Sequence, residues 1–165
     1  MENFRARVKF FGAVPAGSLT AGDMKGLIGE AWTETGAFWH RILRPKHFQA
    51  GALAEYGYAR RKRRYLAKKR ARWGHIRPLV WSGELETMTR ARRIETRAFR
   101  SRSRMRVIMP AARKANWRHP ASEVNMREEL TAISDRDAER MVAIHNRTMS
   151  ERLRTFGRSV TKSIQ

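Results

Sequence analysis

Three groups of residues have types and spacings that could carry chemistry. Glu128, Glu129, Asp135, Asp137 and Glu139 lie close together in the chain, and converging carboxylates are what a two-metal nuclease requires. A plainer reading accounts for most of them. Ser134 followed by Asp135 and Asp137 is a helix start, with side-chain oxygens and carboxylates facing the positive end of the helix dipole, and Glu139 suits a solvated face. A Mg²⁺-dependent nuclease using Glu128, Glu129 and Asp135 therefore ranks third among the functional expectations. The second group is histidine: His40, His47, His75, His119 and His145 are scattered, and the chain has no cysteine. No structural zinc, thiolate nucleophile or disulfide framework is expected from such a set. His145 falls on the apolar face of a helix and reads as a core residue. No phosphate-binding glycine loop, His-Glu-x-x-His or Gly-x-Ser-x-Gly is present. The expectation is a protein that is not an enzyme and has no cofactor and no metal.

The third group is basic. Acidic residues are absent from positions 56–83 and again from 96–122, and these two windows hold 18 of the 36 Lys and Arg residues. In the first, Arg60, Arg61, Lys62, Arg63, Arg64, Lys68, Lys69, Arg70 and Arg72 are interleaved with Tyr65, Leu66 and Trp73. A like-charge run of this density repels itself and reads as a flexible arm over about 59–77. Leu66, Ala67 and Ala71 would let it become helical on a polyanionic or acidic partner. In the second window Arg102, Arg104 and Arg106 share one strand face, suited to lining a channel or groove, or to guarding a hairpin edge against unwanted pairing. Trp73, Trp81 and Trp117 each lie near Arg or Lys, where a ring can stack on an unpaired base. Trp32 and Trp39, seven apart on one helix face, read as core.

Across the whole chain, 165 residues with 41% hydrophobic content are enough for one domain with a real core. The formal net charge of +21 directs the protein toward polyanions or acidic surfaces and sets copies of it against one another. No targeting or membrane-spanning segment is visible, so a soluble protein without membrane contact is expected.

The elements that would position these groups are legible as patterns. Residues 4–11 alternate Phe4, Ala6, Val8 and Phe10 with Arg5, Arg7, Lys9 and Phe11, the period of a strand. Thr20 or Ser18 is placed to cap a helix carrying Leu27, Ile28, Ala31, Trp32, Thr35, Phe38, Trp39 and Ile42 at spacings of three and four, ending before Pro45. Gly26, Gly29 and Gly36 in it suggest close backbone packing. Residues 47–58 suit one or two helical turns, and a turn or short helix follows Gly83. Residues 93–99 and 105–109 alternate as the strands of a basic hairpin, with Pro110 and Pro120 bracketing an irregular stretch. Residues 124–133 read as a strand, and a final amphipathic helix from Ser134 carries Met141, Val142, His145, Met149 and Leu153. Gly157 is expected to stop it near Phe156. The fold class is α+β: a small antiparallel sheet with a long basic hairpin, at about 93–109, packed against two amphipathic helices.

The order of elements, with His47-Phe48, then Ala-Gly-Ala-Leu-Ala-Glu-Tyr-Gly-Tyr at 50–58, a basic stretch, and Pro-Leu-Val-Trp-Ser-Gly-Glu-Leu at 78–85, resembles the tail-completion or neck proteins of long-tailed bacteriophages. The resemblance spans roughly residues 24–153. It implies a structural virion protein, assembled in the host cytoplasm, forming an often sixfold homo-oligomeric ring that joins head connector to tail tube around a passage for DNA. The rival expectation is a basic nucleic-acid-binding protein of a nucleoprotein or ribonucleoprotein assembly.

Overall fold

The computed structural model describes residues 19–98, 103–110, 115–116 and 123–163, with side chains to 156. The strand expected over 4–11, together with Arg102, Trp117, His119 and Pro120, lies outside the described residues. The molecule is mixed helix and strand, with six α-helices and one two-stranded antiparallel sheet among the described residues. Its chain gathers into two compact units, one of Met1–Phe38, Ile94–Arg106 and Ala138–Gln165, the other of Trp39–Arg93 and Val107–Asp137. No described helix is long and apolar enough to cross a membrane.

In the first unit, α1 (Ala21–Phe38) starts at a reciprocal cap. Thr20 Oγ1 accepts from the Asp23 amide at 3.1 Å, and Asp23 Oδ2 accepts from the Thr20 amide at 2.9 Å and hydroxyl at 2.6 Å. These bonds favour the ionised carboxylate and hold Asp23 below the usual carboxylate range. The buried face of α1 is Ala31, Trp32, Thr35, Gly36 and Ala37. Strands β1 (Arg93–Ala98) and β2 (Ser103–Ile108) form the hairpin. Ser103, Met105 and Val107 alternate with exposed Arg104, Arg106 and Ile108, as the period of two requires. Trp32 Nε1 donates to Ser103 Oγ at 2.7 Å. A Cβ on Gly36 would overlap Met105 Sδ and press on Ile94 Cδ1 at 3.2 Å, so glycine is what lets helix backbone and hairpin side chains approach. The last helix, which we number α6 (Asp135–Ser163), begins as expected, with the Asp137 amide donating to Ser134 Oγ at 3.3 Å. It does not stop near Phe156: the backbone stays helical through Gly157 to Ser163, because glycine lowers helix propensity without forbidding it. Met141, His145 and Met149 are buried along it at a spacing of four, and His145 meets Trp32 edge-on at 4.7 Å.

The second unit opens on a π-helical turn (Trp39–Leu43) and a 3₁₀ turn (Arg44–Phe48) in which Pro45 occupies the first turn. The expected single helix thus changes winding before proline, whose missing N–H is harmless only at a helix start. Then come α2 (Ala52–Glu55), α3 (Arg63–Trp73) and α4 (Glu84–Met88). Residues 124–133 are not a strand but carry α5 (Met126–Thr131). Asn125 caps it by accepting from the Glu128 amide, and Glu128 and Glu129 sit in its first turn, where carboxylates favour the helix. The core is Phe48, Ala52, Tyr58, Leu79, Val80, Ala115 and Leu130. Leu79 has φ 56°, a left-handed conformation that costs a non-glycine residue on the order of 1–3 kcal/mol.

Candidate functional site

The basic stretch of the sequence becomes a helix instead of a flexible arm. Leu66, Ala67, Ala71 and the long cationic side chains are good helix formers, yet Arg64, Lys68 and Arg72 stand four apart and repel one another. Lys62 gives no side-chain cap. What holds α3 comes from its other face and its ends. Tyr65 stacks on Trp81 with centroids 5.6 Å apart, and Trp73 meets the same indole edge-on at 6.3 Å. Gly74, at φ 69°, closes the helix by donating its amide to the Arg70 carbonyl at 2.8 Å. Lys69, 2% exposed, donates its ammonium to the Arg77 carbonyl. Burial and the charges of Arg61 and Arg77 push that lysine down to about 8.

The nine expected cations of this stretch divide into two kinds. Arg61 turns inward and forms a bidentate pair with the buried Glu129 carboxylate, with Nη1 to Oε1 at 2.7 Å and Nη2 to Oε2; it also caps the Ala59 carbonyl. Lys69 is buried. Arg60, Lys62, Arg63, Arg64, Lys68, Arg70 and Arg72 are exposed, and among the described residues none has a carboxylate within ion-pair distance. Of the hairpin cations, Arg104 and Arg106 are exposed on β2; they belong to the other unit. Tyr65 is the ring that spacing overlooks, although Tyr65 and Trp73, eight apart, share a helix face and together could mark it. All three rings remain open to solvent, at 41% for Tyr65, 38% for Trp73 and 36% for Trp81. The Arg72 guanidinium lies 5.4 Å from the centre of the Trp73 ring.

The carboxylates weighed for nuclease chemistry are dispersed. Glu129 is committed to Arg61, and Asp137 is buried, accepting from Lys46 Nζ at 2.8 Å and from the Tyr56 hydroxyl at 2.7 Å. Helix capping alone does not explain Asp137, because it also anchors the 3₁₀ turn and the chain after α2. Glu128, Asp135 and Glu139 are exposed. Among the described residues no three histidines or carboxylates are grouped to hold a metal.

His47, fully buried, belongs to the same layer. Its Nδ1–H donates to the Glu129 carbonyl at 2.9 Å, with the Tyr58 hydroxyl against the same nitrogen, and its ring stacks on Tyr56 at 4.1 Å. Burial lowers its pKa to about 4, so the ring is neutral. A carbonyl can only accept, which puts the proton on Nδ1. Burial likewise raises the Tyr56 and Tyr58 hydroxyls. This layer ties the 46–58 segment to α5 and to the first turn of α6. Comparison with protein-family models, with curated proteins and with solved structures finds no match.

Proposed function

We propose that the chain is a structural virion protein of the phage neck or tail-completion type, without catalytic activity, that works in a homo-oligomeric ring between head connector and tail tube. One observation carries this reading: the residues behind the resemblance are those that build the second unit. Phe48, Ala52, Tyr58, Leu79 and Val80 are its core, while Gly83, at φ 83°, supplies the turn into α4. Segments 47–58 and 78–85 are thus a folding framework, as a family signature should be. The basic hairpin, with Arg104 and Arg106 outward, and the exposed flank of α3 supply two surfaces for the heterologous contacts that close rings. A lumen wall bearing the whole +21 would grip a sliding genome, so in this reading most of the charge faces acidic neighbouring proteins or head-side DNA. Purified protein mixed with tail tubes and viewed by negative-stain microscopy tests the reading. Rings seated on tube ends are expected; the absence of both rings and tube-end binding overturns it.

A second reading, a basic nucleic-acid-binding protein of a nucleoprotein assembly, is favoured by one feature, the unneutralised cations of α3. It requires affinity for DNA or RNA that falls steeply with salt, as counterions are released from each contacted phosphate. No binding at physiological salt overturns it.

A further inference from the structure

We infer that the flank of α3 is a binding site for single-stranded nucleic acid, with Tyr65, Trp73 and Trp81 as the platform for bases and Arg64, Lys68 and Arg72 as the track for phosphates. The inference rests on the reading of α3 as a polyanion-binding surface and adds which polyanion. Charge alone would serve an acidic protein equally well. The rings decide against that partner: three large aromatics, each more than a third exposed, two on a helix with no acidic residue and one from the loop beside it, gather at one place. Exposed apolar surface concentrated in this way marks an interaction site, and a base offers a π-face that an acidic side chain does not. A duplex keeps its base faces covered by stacking, so the ligand that fits rings and cations together is an unpaired strand.

The geometry is built, not incidental. Tyr65 and Trp73 stand about 12 Å apart along the helix axis at 1.5 Å per residue, and Trp81 bridges them from a separate loop. That loop is anchored by buried Leu79 and Val80, and the left-handed Leu79 turns the chain so that the next buried residue leads directly into exposed Trp81. Backbone strain of this kind persists where surrounding packing over-determines it, often beside a functional group. The cations repeat every four residues, about 6 Å apart, on the side of the helix that ends against the Trp73 ring. Their mutual repulsion is uncompensated within the described residues, and a strand of phosphates would relieve it.

The experiment uses the full chain and three labelled ligands of equal length: an oligothymidine, an abasic deoxyribose-phosphate strand and a DNA duplex. Anisotropy and tryptophan emission are followed at several salt concentrations. The oligothymidine is expected to bind roughly tenfold or more tightly than the abasic strand, with quenching of tryptophan emission. Trp81→Ala should remove that preference, and Trp81→Phe, which keeps a ring, should restore most of it. Lys68→Glu with Arg72→Glu should weaken all ligands and lower the salt slope by about one for each phosphate that is no longer neutralised. The same reversal at exposed Arg136 and Arg154, away from α3, should do much less. Equal binding of all three ligands overturns the inference while sparing a polyanion-binding α3. Absence of binding at physiological salt overturns both. Equal weakening from reversal at α3 and at Arg136 and Arg154 also overturns it, because net charge would then suffice.

Discussion

His47 shows how one buried side chain makes stability depend on pH. Its ordinary pKa of 6.5 falls to about 4 in the folded chain, so between those values the unfolded state binds a proton that the folded state refuses. The stability tied to the neutral ring is complete above pH 6.5 and is lost as pH falls toward about 4. Asp137, Glu55 and Arg44 face the same ring. Denaturant midpoints measured across that range should drop with acid, and His47→Gln should start lower but respond less. Gly36 and Gly26 offer a second comparison on α1. A side chain at Gly36 meets Met105 and Ile94, whereas one at Gly26 meets nothing within 4 Å. Gly36→Val should therefore cost about 2 kcal/mol or more through overpacking, while Gly26→Ala should gain up to about 1 kcal/mol from helix propensity. Thermal melts of the two variants against the parent chain separate these signs. The sequence shows that both glycines lie in a helix, but only contacts between strands and helix distinguish them.

At the scale of elements, the signals legible in the sequence are those made within a few residues: the Thr20 cap, the two hairpin strands, the Ser134 start and the helix after Gly83. Two elements depart from their sequence pattern for physical reasons. Residues 124–133 mix apolar and polar positions in a way that suits either a short strand or a short helix, and the Asn125 cap settles it. The charge run at 63–73 looks too repulsive to order itself; its order comes from Trp81 and the Arg77 carbonyl, which lie beyond the helix. Such partners have no local spacing to betray them, and the Arg61–Glu129 and Lys46–Asp137 pairs are hidden for the same reason. Lys69 carries the pH signature of α3. Its pKa drops from 10.5 to about 8 on folding, so the unfolded chain holds the extra proton between those values and stability should rise with pH across that window. Lys69→Met should erase the rise, as read from unfolding at pH values on either side of it.

For the whole molecule, 15 Asp and Glu compensate only part of the charge of 36 Lys and Arg, leaving +21, and some of those acids, such as Glu129 and Asp137, are held in buried pairs. Exposed cations on α3 and β2 repel through solvent, where added salt screens them over about 10 Å at 0.1 M. Raising sodium chloride from low to moderate concentration should therefore raise the melting temperature, and a polyanion such as polyphosphate should do so at far lower ionic strength. A melting temperature that falls with added salt would instead point to ion pairs as the dominant electrostatic effect. Charge is legible in the composition, but which cations face solvent is not, since Arg61 and Arg70 look alike in sequence.

The first unit is assembled from three separated stretches of chain and the second from two, and the borders between them cut both strands of the hairpin and the start of α6. The shortest uninterrupted stretch that holds all of the second unit, residues 39–137, also carries residues 94–106 of the first. A truncation to that stretch keeps the second unit with the hairpin part of the first still threaded through it, so fragment expression, limited proteolysis and domain grafting will not yield a unit in isolation.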